Sequence, residues 1–142
     1  MTTTSVERII EVPLGKAWSL LSDFTGSPSP AFPVIVHEKG SESYNGVGTI
    51  RTITLGMFSV MERLEAVEPH QSYMYCILSG SPVKQYLGKF EFNEKNGATL
   101  IRWHADFKPK VPFIGWLIAI VTKKMVHKIL SQMEADHRQS PR

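Results

Sequence analysis

The stretch VGTIRTITLGMFSVMERLEAVE (residues 47–68) decides the fold. Apolar residues recur at alternate positions on both sides of a short turn, which predicts two antiparallel strands joined as a hairpin. This alternation places Arg51 on the same face as Ile53, and Glu62 on the same face as Leu64. Pairing around the turn brings Arg51 and Glu62 opposite or diagonal to each other, within side-chain reach. The hairpin therefore predicts an arginine and a glutamate on the inward face of a sheet.

The rest of the chain adds further strands and places a helix near each end. Strand candidates follow one another, with turn residues between them, at residues 34–39, 47–55, 58–67, 72–79, 85–93 and 98–107. Residues 5–12 look like a first strand, 14–23 like an amphipathic helix and 113–137 like one long helix. Because a large antiparallel sheet twists and curls, the long helix can fill its concave side. We predict an α+β helix-grip fold: a seven-stranded curved antiparallel sheet wrapped around a long C-terminal helix, with one or two short helices after the first strand.

Length and charge narrow the class of protein. A chain of 142 residues predicts one domain spanning residues 1–142. The formal net charge is +3 and the basic residues are scattered, whereas a nucleic-acid-binding protein usually has a concentrated basic stripe. The longest apolar run, Val111 to Thr122, is interrupted by Pro112 and is shorter than the ~20 residues of a membrane span. We therefore expect no nucleic-acid partner and no integral membrane segment.

Short motifs for metals, cofactors and covalent chemistry are absent from the sequence. Cys76 is the only cysteine, which excludes a disulfide framework and a zinc site of the finger type. The histidines form no HxH or HExxH pattern, and the chain has neither a Gly-rich phosphate loop nor a GxSxG elbow. The start of the chain, MTTTSVERIIEV, lacks a signal-peptide pattern. We expect no metal, no cofactor and a cytoplasmic location.

Five sequence stretches, in this order, resemble a known superfamily. They are VPLGKAWSLLSDF (12–24), VGTIRTITL (47–55), VMERLEAVEP (60–69), YMYCILSGSPVKQYLGKFEF (73–92) and TLIRWHADFKP (99–109). Together they resemble the superfamily of START lipid-transfer domains, birch-pollen-type allergens and polyketide cyclases, and within it the polyketide cyclase/dehydrase and lipid transport branch. The resemblance implies a helix-grip fold with a large internal apolar cavity, but no single activity, since such folds host many functions.

The β region is also similar to that of the plant abscisic-acid receptors. In those receptors a matching arginine, glutamate and tyrosine point into the hormone pocket, a role that the resemblance carries over to Arg51, Glu62 and Tyr86. The gate sequence of the receptors is replaced here by residues 55–59, LGMFS, and their latch by residues 81–83, SPV. Their pocket lysine has no evident counterpart. Hormone reception of that kind is therefore not expected.

Strand parity, guided by the resemblance, predicts an aromatic wall on the concave face of the sheet. It turns Phe92, Ile101 and Ala105 inward along with the proposed ligand contacts. The residues predicted to bind a ligand are Arg51, Ile53, Glu62, Tyr73, Tyr75, Ile77, Tyr86, Phe90, Trp103, Phe107, Leu117 and Val121. Glu62 and Tyr86 are also candidate catalytic residues, because a buried carboxylate can act as a general base and a tyrosine can donate a proton.

Two interpretations of the Arg51–Glu62 pair remain open from sequence. The pair can be a structural ion pair that neutralises two buried charges. Alternatively, it can be a polar anchor in an apolar pocket, where Arg51 holds a carboxylate, ketone or phenolate and Glu62 orients a water or acts as a base. The two roles are compatible.

Several other residues have a structural interpretation. His104 and Asp106 fall on the parity of the outer face, so we expect solvated positions there rather than an acid/base pair. Trp18 lies on the apolar stripe of the first helix and is expected in the core. The loops at residues 55–59, 80–83 and 25–33 are candidate gates of the cavity.

Two apolar surfaces lack a predicted partner. Residues 113–121 are apolar nearly all round and precede Lys123, Lys124 and Lys128, so a cavity mouth, a second subunit or weak peripheral contact with a membrane could cover them. Met74, Cys76 and Leu78 alternate onto the outer face of the sheet, where a homodimer contact or a loop could cover them. Monomer and homodimer both remain possible.

Three functions follow from these features. The first is binding or transport of a small hydrophobic molecule, such as a lipid, polyketide or aromatic compound, in the internal cavity. The second is an enzyme of the polyketide cyclase/dehydratase type, using general acid–base residues in the same cavity. The third is a regulatory or protein-interaction module.

Overall fold

The structure, a computed structural model, describes residues 2–22, 34–38, 47–55 and 58–139. The elements in chain order are β1 (Thr2–Ile10), α1 (Leu14–Ser22), β2 (Val34–Glu38), β3 (Ile50–Leu55), β4 (Phe58–Glu68), β5 (Ser72–Ser79), β6 (Val83–Lys95), β7 (Ala98–Pro109) and α2 (Gly115–Gln139). This order confirms the predicted helix-grip fold. The second short helix expected before Pro33 and the candidate gate at residues 25–33 lie outside the described residues.

The seven strands form one antiparallel sheet in the order β1-β7-β6-β5-β4-β3-β2. From β2 to β7 each strand pairs with the next strand in sequence, as the predicted meander requires. The first strand instead pairs with the last, with Val6 opposite Trp103. This pairing places β1 beside β7, the strand that leads into α2.

The core lies between the concave face of the sheet and the two helices. The buried side of α1 consists of Ala17, Trp18 and Leu21. The Trp18 ring packs edge-on against Phe92 at 5.2 Å and Tyr73 at 6.3 Å between ring centroids. The core position expected for Trp18 is therefore confirmed.

Polar contacts hold the C-terminal half of α2 against β1. Arg8 donates from Nη2 to Oε1 of Glu134 at 2.6 Å and from Nη1 to Ser131 at 2.8 Å. The second oxygen of Glu134 accepts a hydrogen bond from the backbone N–H of Glu11 at 2.8 Å. Since α2 forms one wall of the interior, these contacts fix the position of that wall relative to the sheet.

The convex face of the sheet carries the polar residues at the alternate strand positions that point outward. Asp106 is exposed and accepts a hydrogen bond from the Thr3 hydroxyl at 2.7 Å, while His104 is half-buried. The outward orientation predicted for both residues is confirmed. Met74 and Cys76 are half-buried on this face, and Leu78 is 41% exposed.

The long helix begins two residues later than the sequence predicted, at Gly115. Phe113 has a φ of 71°, a left-handed conformation that does not occur inside a right-handed α-helix. The helix therefore begins after Phe113. Gly115 packs so closely on Thr2 that a Cβ there would collide with the threonine hydroxyl. Neither helix of the described ranges has the length and hydrophobicity that crossing a bilayer would require.

Candidate functional site

A cavity of about 290 Å³ lies between the concave face of the sheet and α2. Its sheet wall carries Arg51, Glu62 and three tyrosines. Its helix wall is apolar except for Thr122, whose hydroxyl is engaged by the backbone carbonyl of Ile118 at 2.8 Å. The cavity is therefore two-sided, with polar groups on the sheet and hydrocarbon on the helix.

The structure brings together ten of the twelve residues predicted to bind a ligand. The ten that line the cavity are Arg51, Ile53, Glu62, Tyr73, Tyr75, Ile77, Tyr86, Phe90, Leu117 and Val121. Trp103 and Phe107 point inward but do not line it. Both are buried against cavity tyrosines instead: Trp103 donates a hydrogen bond to Tyr75, and the ring of Phe107 stacks on Tyr86 at 5.9 Å. These two residues do not line the cavity because the side chains of Tyr75 and Tyr86, which do line it, lie against them.

The sequence analysis did not assign several other lining residues to the site. They are Leu21, Val60, Gly80, Ser81, Pro82, Ile114, Ile118, Thr122, Met125, Val126 and Ile129. Five of these eleven come from one side of α2, and the helical spacing of apolar residues carried a signal for them. No local pattern marks Leu21 of α1 as a lining residue, because its position depends on how α1 packs across the sheet.

Arg51 and Glu62 face each other directly across β3 and β4. Arg51 donates from Nη2 and Nε to the same oxygen of Glu62, at 3.0 and 3.1 Å. The Arg51 side chain is 4% exposed and that of Glu62 is 14% exposed. Two opposite charges thus share a largely dry site and neutralise each other, which limits the cost of burying either one.

Three aromatic side chains form a hydrogen-bonded chain beside this pair. Trp103 donates from Nε1 to the Tyr75 hydroxyl oxygen at 2.9 Å, and the hydroxyls of Tyr75 and Tyr86 lie 3.1 Å apart. The contact between the two tyrosines uses one of their two hydroxyl hydrogens, whichever of them donates. The remaining hydrogen is available to the cavity that both side chains line.

Gly88 makes this chain of hydrogen bonds possible. It lies on β6 opposite Tyr75 of β5, and a Cβ on it would come within 2.5 Å of the Tyr75 ring. The missing side chain lets the ring extend across β6 and reach Trp103 on β7. A glycine inside a strand often marks such a close approach, and this was the sequence signal that could have identified Gly88.

Burial raises the pKa of all three cavity tyrosines above the usual range. For Tyr73 and Tyr75 the rise in pKa is large. The positive charge of Arg51 opposes the rise in the pKa of Tyr73, and the negative charge of Glu62 adds to the rise for both residues. For Tyr86, burial is again the main cause, partly opposed by the hydrogen bond with Tyr75. The three hydroxyls therefore remain protonated at neutral pH and act as hydrogen-bond donors, not as bases.

The rim of the cavity is formed by the β5–β6 loop and the start of α2. Leu117 and Val121 line the cavity yet are 46% and 38% exposed, so the cavity reaches the surface beside them. Gly80 has a φ of 95°, and a Cβ on it would collide with the backbone oxygen of Ser59. The backbone N–H of Lys110 donates to the Pro82 carbonyl at 2.8 Å and ties the loop to the α2 entrance. Of the candidate gates, residues 80–83 thus reach the rim, whereas residues 56–57 lie outside the described part.

The described residues hold no group of three or more His, Cys, Asp or Glu side chains placed to bind a metal ion. The described lining of the cavity offers a ligand an ion pair, three neutral phenols and apolar walls.

Comparisons with solved structures identify the fold. The protein XoxI from Bacillus cereus superposes with a TM-score of 0.78 at 19% identity, covering 100% of this chain and 99% of that chain. A START superfamily protein from Mycobacterium smegmatis gives 0.77 at 12% identity, covering 98% and 99%. Ara h 8.0201 gives 0.72 at 19% identity, covering 94% of each chain. At these identities the likeness shows the fold alone, which is that of the START-like helix-grip proteins.

The family follows from the sequence. Residues 1–137 match the family described as polyketide cyclase / dehydrase and lipid transport. The chain belongs to this family. A search of curated protein sequences found no match.

Proposed function

We propose that this protein binds a small hydrophobic molecule with one oxygen-bearing edge in the cavity between sheet and helix. The observation that carries the proposal is a mostly apolar lining whose charged and phenolic groups all lie on the sheet side. Ligand pockets typically combine mostly apolar walls with a few placed polar groups. The family description, which includes lipid transport and polyketide chemistry, supports the same class of ligand.

The polar side chains of the cavity indicate which chemical groups the ligand carries on its oxygen-bearing edge. The free hydroxyl hydrogen of the Tyr75–Tyr86 pair needs an acceptor, such as a carbonyl or hydroxyl oxygen. Arg51 is already neutralised by Glu62, so the ligand does not need a negative charge to enter. A neutral ketone, phenol or alcohol fits this wall better than a free fatty acid does.

The cavity volume limits the size of the ligand. A volume of about 290 Å³ is at the small end of the ~300–1,000 Å³ range of small-molecule pockets. A ring system or one short chain is favoured over a lipid with two long chains. We therefore infer an aromatic, polyketide or isoprenoid type of ligand.

Native mass spectrometry of the freshly purified protein, followed by solvent extraction, tests the proposal. A discrete small-molecule adduct supports it and gives the ligand class. A matched pair of variants then tests whether the adduct is bound in the cavity. Ile118→Phe narrows the cavity, whereas Ile120→Phe changes an exposed residue of the same helix. We expect the first to lose the adduct and the second to keep it; loss in both or in neither would contradict binding in this cavity.

Catalysis in the same cavity is the second candidate function. Glu62 lines the cavity beside an apolar wall, a setting in which a carboxylate can remove a proton next to a ketone. Turnover of a polyketide-type ketone that falls at least ~100-fold in Glu62→Gln, with ligand still bound, would support an enzyme of the cyclase or dehydratase type. Binding without turnover would support a carrier.

The expected partners and location are part of the proposal. A cytoplasmic location agrees with a chain that has one cysteine and needs no disulfide. The small net charge, +3, supports the absence of a nucleic-acid partner. Cell fractionation tests the location, and a mobility-shift assay at low salt tests whether the protein binds nucleic acid.

A further inference from the structure

An apolar surface lies beside the cavity mouth, at the start of α2. We name it the entrance patch and define it by its exposed residues, Val111, Phe113, Trp116, Leu117, Ile120 and Val121. Phe113 is 92% exposed and Trp116 is 65% exposed, although large aromatic side chains are normally buried at least in part. Two members, Leu117 and Val121, also line the cavity, so the patch and the mouth are continuous.

Along the sequence, the charged residues that flank the entrance patch between residues 107 and 133 are all positive. From residue 107 to residue 133 the chain contains five lysines and no aspartate or glutamate. The lysines are Lys108, Lys110, Lys123, Lys124 and Lys128, and all five are exposed. Within the described residues, none of the five takes part in an ion pair. The patch is therefore flanked by positive charge on both sides in sequence.

The order of these groups along α2 fits a surface that is apolar inside and anionic outside. The N-terminal part of the helix carries Trp116 and Ile120, and the next turns carry Lys123 and Lys124. Trp116 and Lys124 are eight residues apart, which is about 12 Å along the helix axis. With the helix axis steep to the bilayer plane, that distance places lysines at the level of lipid head groups when the tryptophan reaches the boundary of the acyl chains.

We propose that the entrance patch docks on the surface of a bilayer containing anionic lipids, with the cavity mouth against the lipid. A second copy of the chain fits the patch less well, because two such surfaces would bring lysines together with no carboxylate in residues 107–133 to pair with them. This inference goes beyond ligand binding and does not depend on it. Docking would let a hydrophobic ligand pass between membrane and cavity without crossing water.

Vesicle binding tests the docking, with tryptophan fluorescence as the readout. Trp116 is 65% exposed, whereas Trp18 and Trp103 are 9% and 1% exposed, so Trp116 dominates any change on contact with lipid. With vesicles of phosphatidylcholine and phosphatidylserine at low salt, we expect a blue shift and quenching by brominated acyl chains. With phosphatidylcholine alone or at high salt, we expect much weaker binding, because screening removes the electrostatic part.

Matched variants separate the patch from the rest of the surface. Phe113→Ser removes an aromatic side chain of the patch and Lys124→Glu reverses a neighbouring charge, and each should weaken vesicle binding at least about fivefold. Ile9→Ser and Lys95→Glu change an exposed isoleucine and lysine elsewhere and should leave binding unchanged. Circular dichroism checks that all four variants fold.

Three results would overturn the proposal. One is the absence of vesicle binding at low salt. Another is an equal loss in patch and control variants. The third is a blue shift that depends on protein concentration without vesicles, together with a dimer mass in sedimentation, which would assign the patch to a second copy. A protein that docks but holds no extractable ligand would refute the ligand proposal and leave the docking standing.

Discussion

Arg51 and Glu62 lie opposite each other on the inner face of the sheet, as Arg102 and Glu7 do on the outer face. Both pairs are bonded, with the shortest nitrogen–oxygen distances at 3.0 and 2.7 Å. Their surroundings differ: Arg51 is 4% exposed, whereas the Arg102 side chain is 52% exposed. The chain thus contains the same cross-strand pair in a buried and in a solvated setting.

This contrast predicts a large difference in stability effects. Arg51→Met leaves the Glu62 carboxylate in a largely dry site, and we expect a loss of about 3 kcal/mol in the free energy of unfolding. The double variant Arg51→Met/Glu62→Leu removes both charges and should lie within about 1 kcal/mol of the wild type. Arg102→Met should cost no more than about 0.5 kcal/mol. Urea unfolding measures all three, and a double variant as unstable as Arg51→Met would contradict the explanation.

Gly88 should resist substitution because of its neighbour. In Gly88→Ala the new methyl group meets the ring of Tyr75, so the ring must move and its bond to Trp103 is lost. We expect a loss of about 2 kcal/mol, typical of overpacking, and a changed near-ultraviolet circular dichroism spectrum. Gly15→Ala is the control, since no heavy atom lies within 4 Å of its added Cβ and alanine favours the helix. A neutral Gly88→Ala would show that the ring is not held in this position.

The tyrosine pair should respond asymmetrically to loss of a hydroxyl. Tyr75→Phe removes the acceptor of the buried Trp103 Nε1–H as well as the contact with Tyr86, and we expect a loss of about 2 kcal/mol. Tyr86→Phe leaves the Trp103–Tyr75 bond in place and should cost about 1 kcal/mol. Chemical denaturation of the two variants side by side measures the difference. A larger effect in Tyr86→Phe would mean that Tyr75 is not the centre of the chain of bonds.

The raised pKa values of the buried tyrosines predict a loss of stability at high pH. In the unfolded chain a tyrosine ionises near pH 10, whereas Tyr73, Tyr75 and Tyr86 stay protonated in the folded protein. The folded state therefore binds more protons above pH ~10, so the contribution to stability is complete below that pH and falls as pH rises. With three such groups the slope approaches about 4 kcal/mol per pH unit.

An absorbance titration at 295 nm measures this directly. The chain has four tyrosines, and Tyr44 lies outside the described residues. A Tyr44→Phe variant therefore confines the signal to the three cavity residues. The usual tyrosine pKa is near 10, so the informative range is about pH 9 to pH 11. In this range we expect almost no tyrosine ionisation while circular dichroism shows a folded chain. The absorbance at 295 nm should then rise cooperatively when the protein unfolds. A smooth titration near pH 10 in the folded protein would contradict burial of the hydroxyls.

Local patterns in the sequence predicted much of the fold and part of the site. The alternation in residues 47–68 set the faces of β3 and β4, and the hairpin made Arg51 and Glu62 neighbours, because register follows from the turn and from which face is buried. The predicted limits of strands and helices differed from the observed ones by up to three residues, and at the start of α2 the left-handed conformation of Phe113 explains the difference. Eight of the ten strand residues predicted to contact a ligand line the cavity, since parity decides whether a strand side chain faces inward.

The sequence by itself predicted the class of fold, the inward aromatic wall and the buried pair. A period of two residues separates the two faces of each strand, and the resemblance to the START-like superfamily indicated which face of the later strands is inward. Only the tertiary structure decided that β1 closes on β7, that Trp103 serves Tyr75 instead of the cavity, and that the mouth opens at Leu117 and Val121. Each of these depends on contacts between residues far apart in sequence. Their geometry is set by how the sheet curls around α2, which no local pattern encodes.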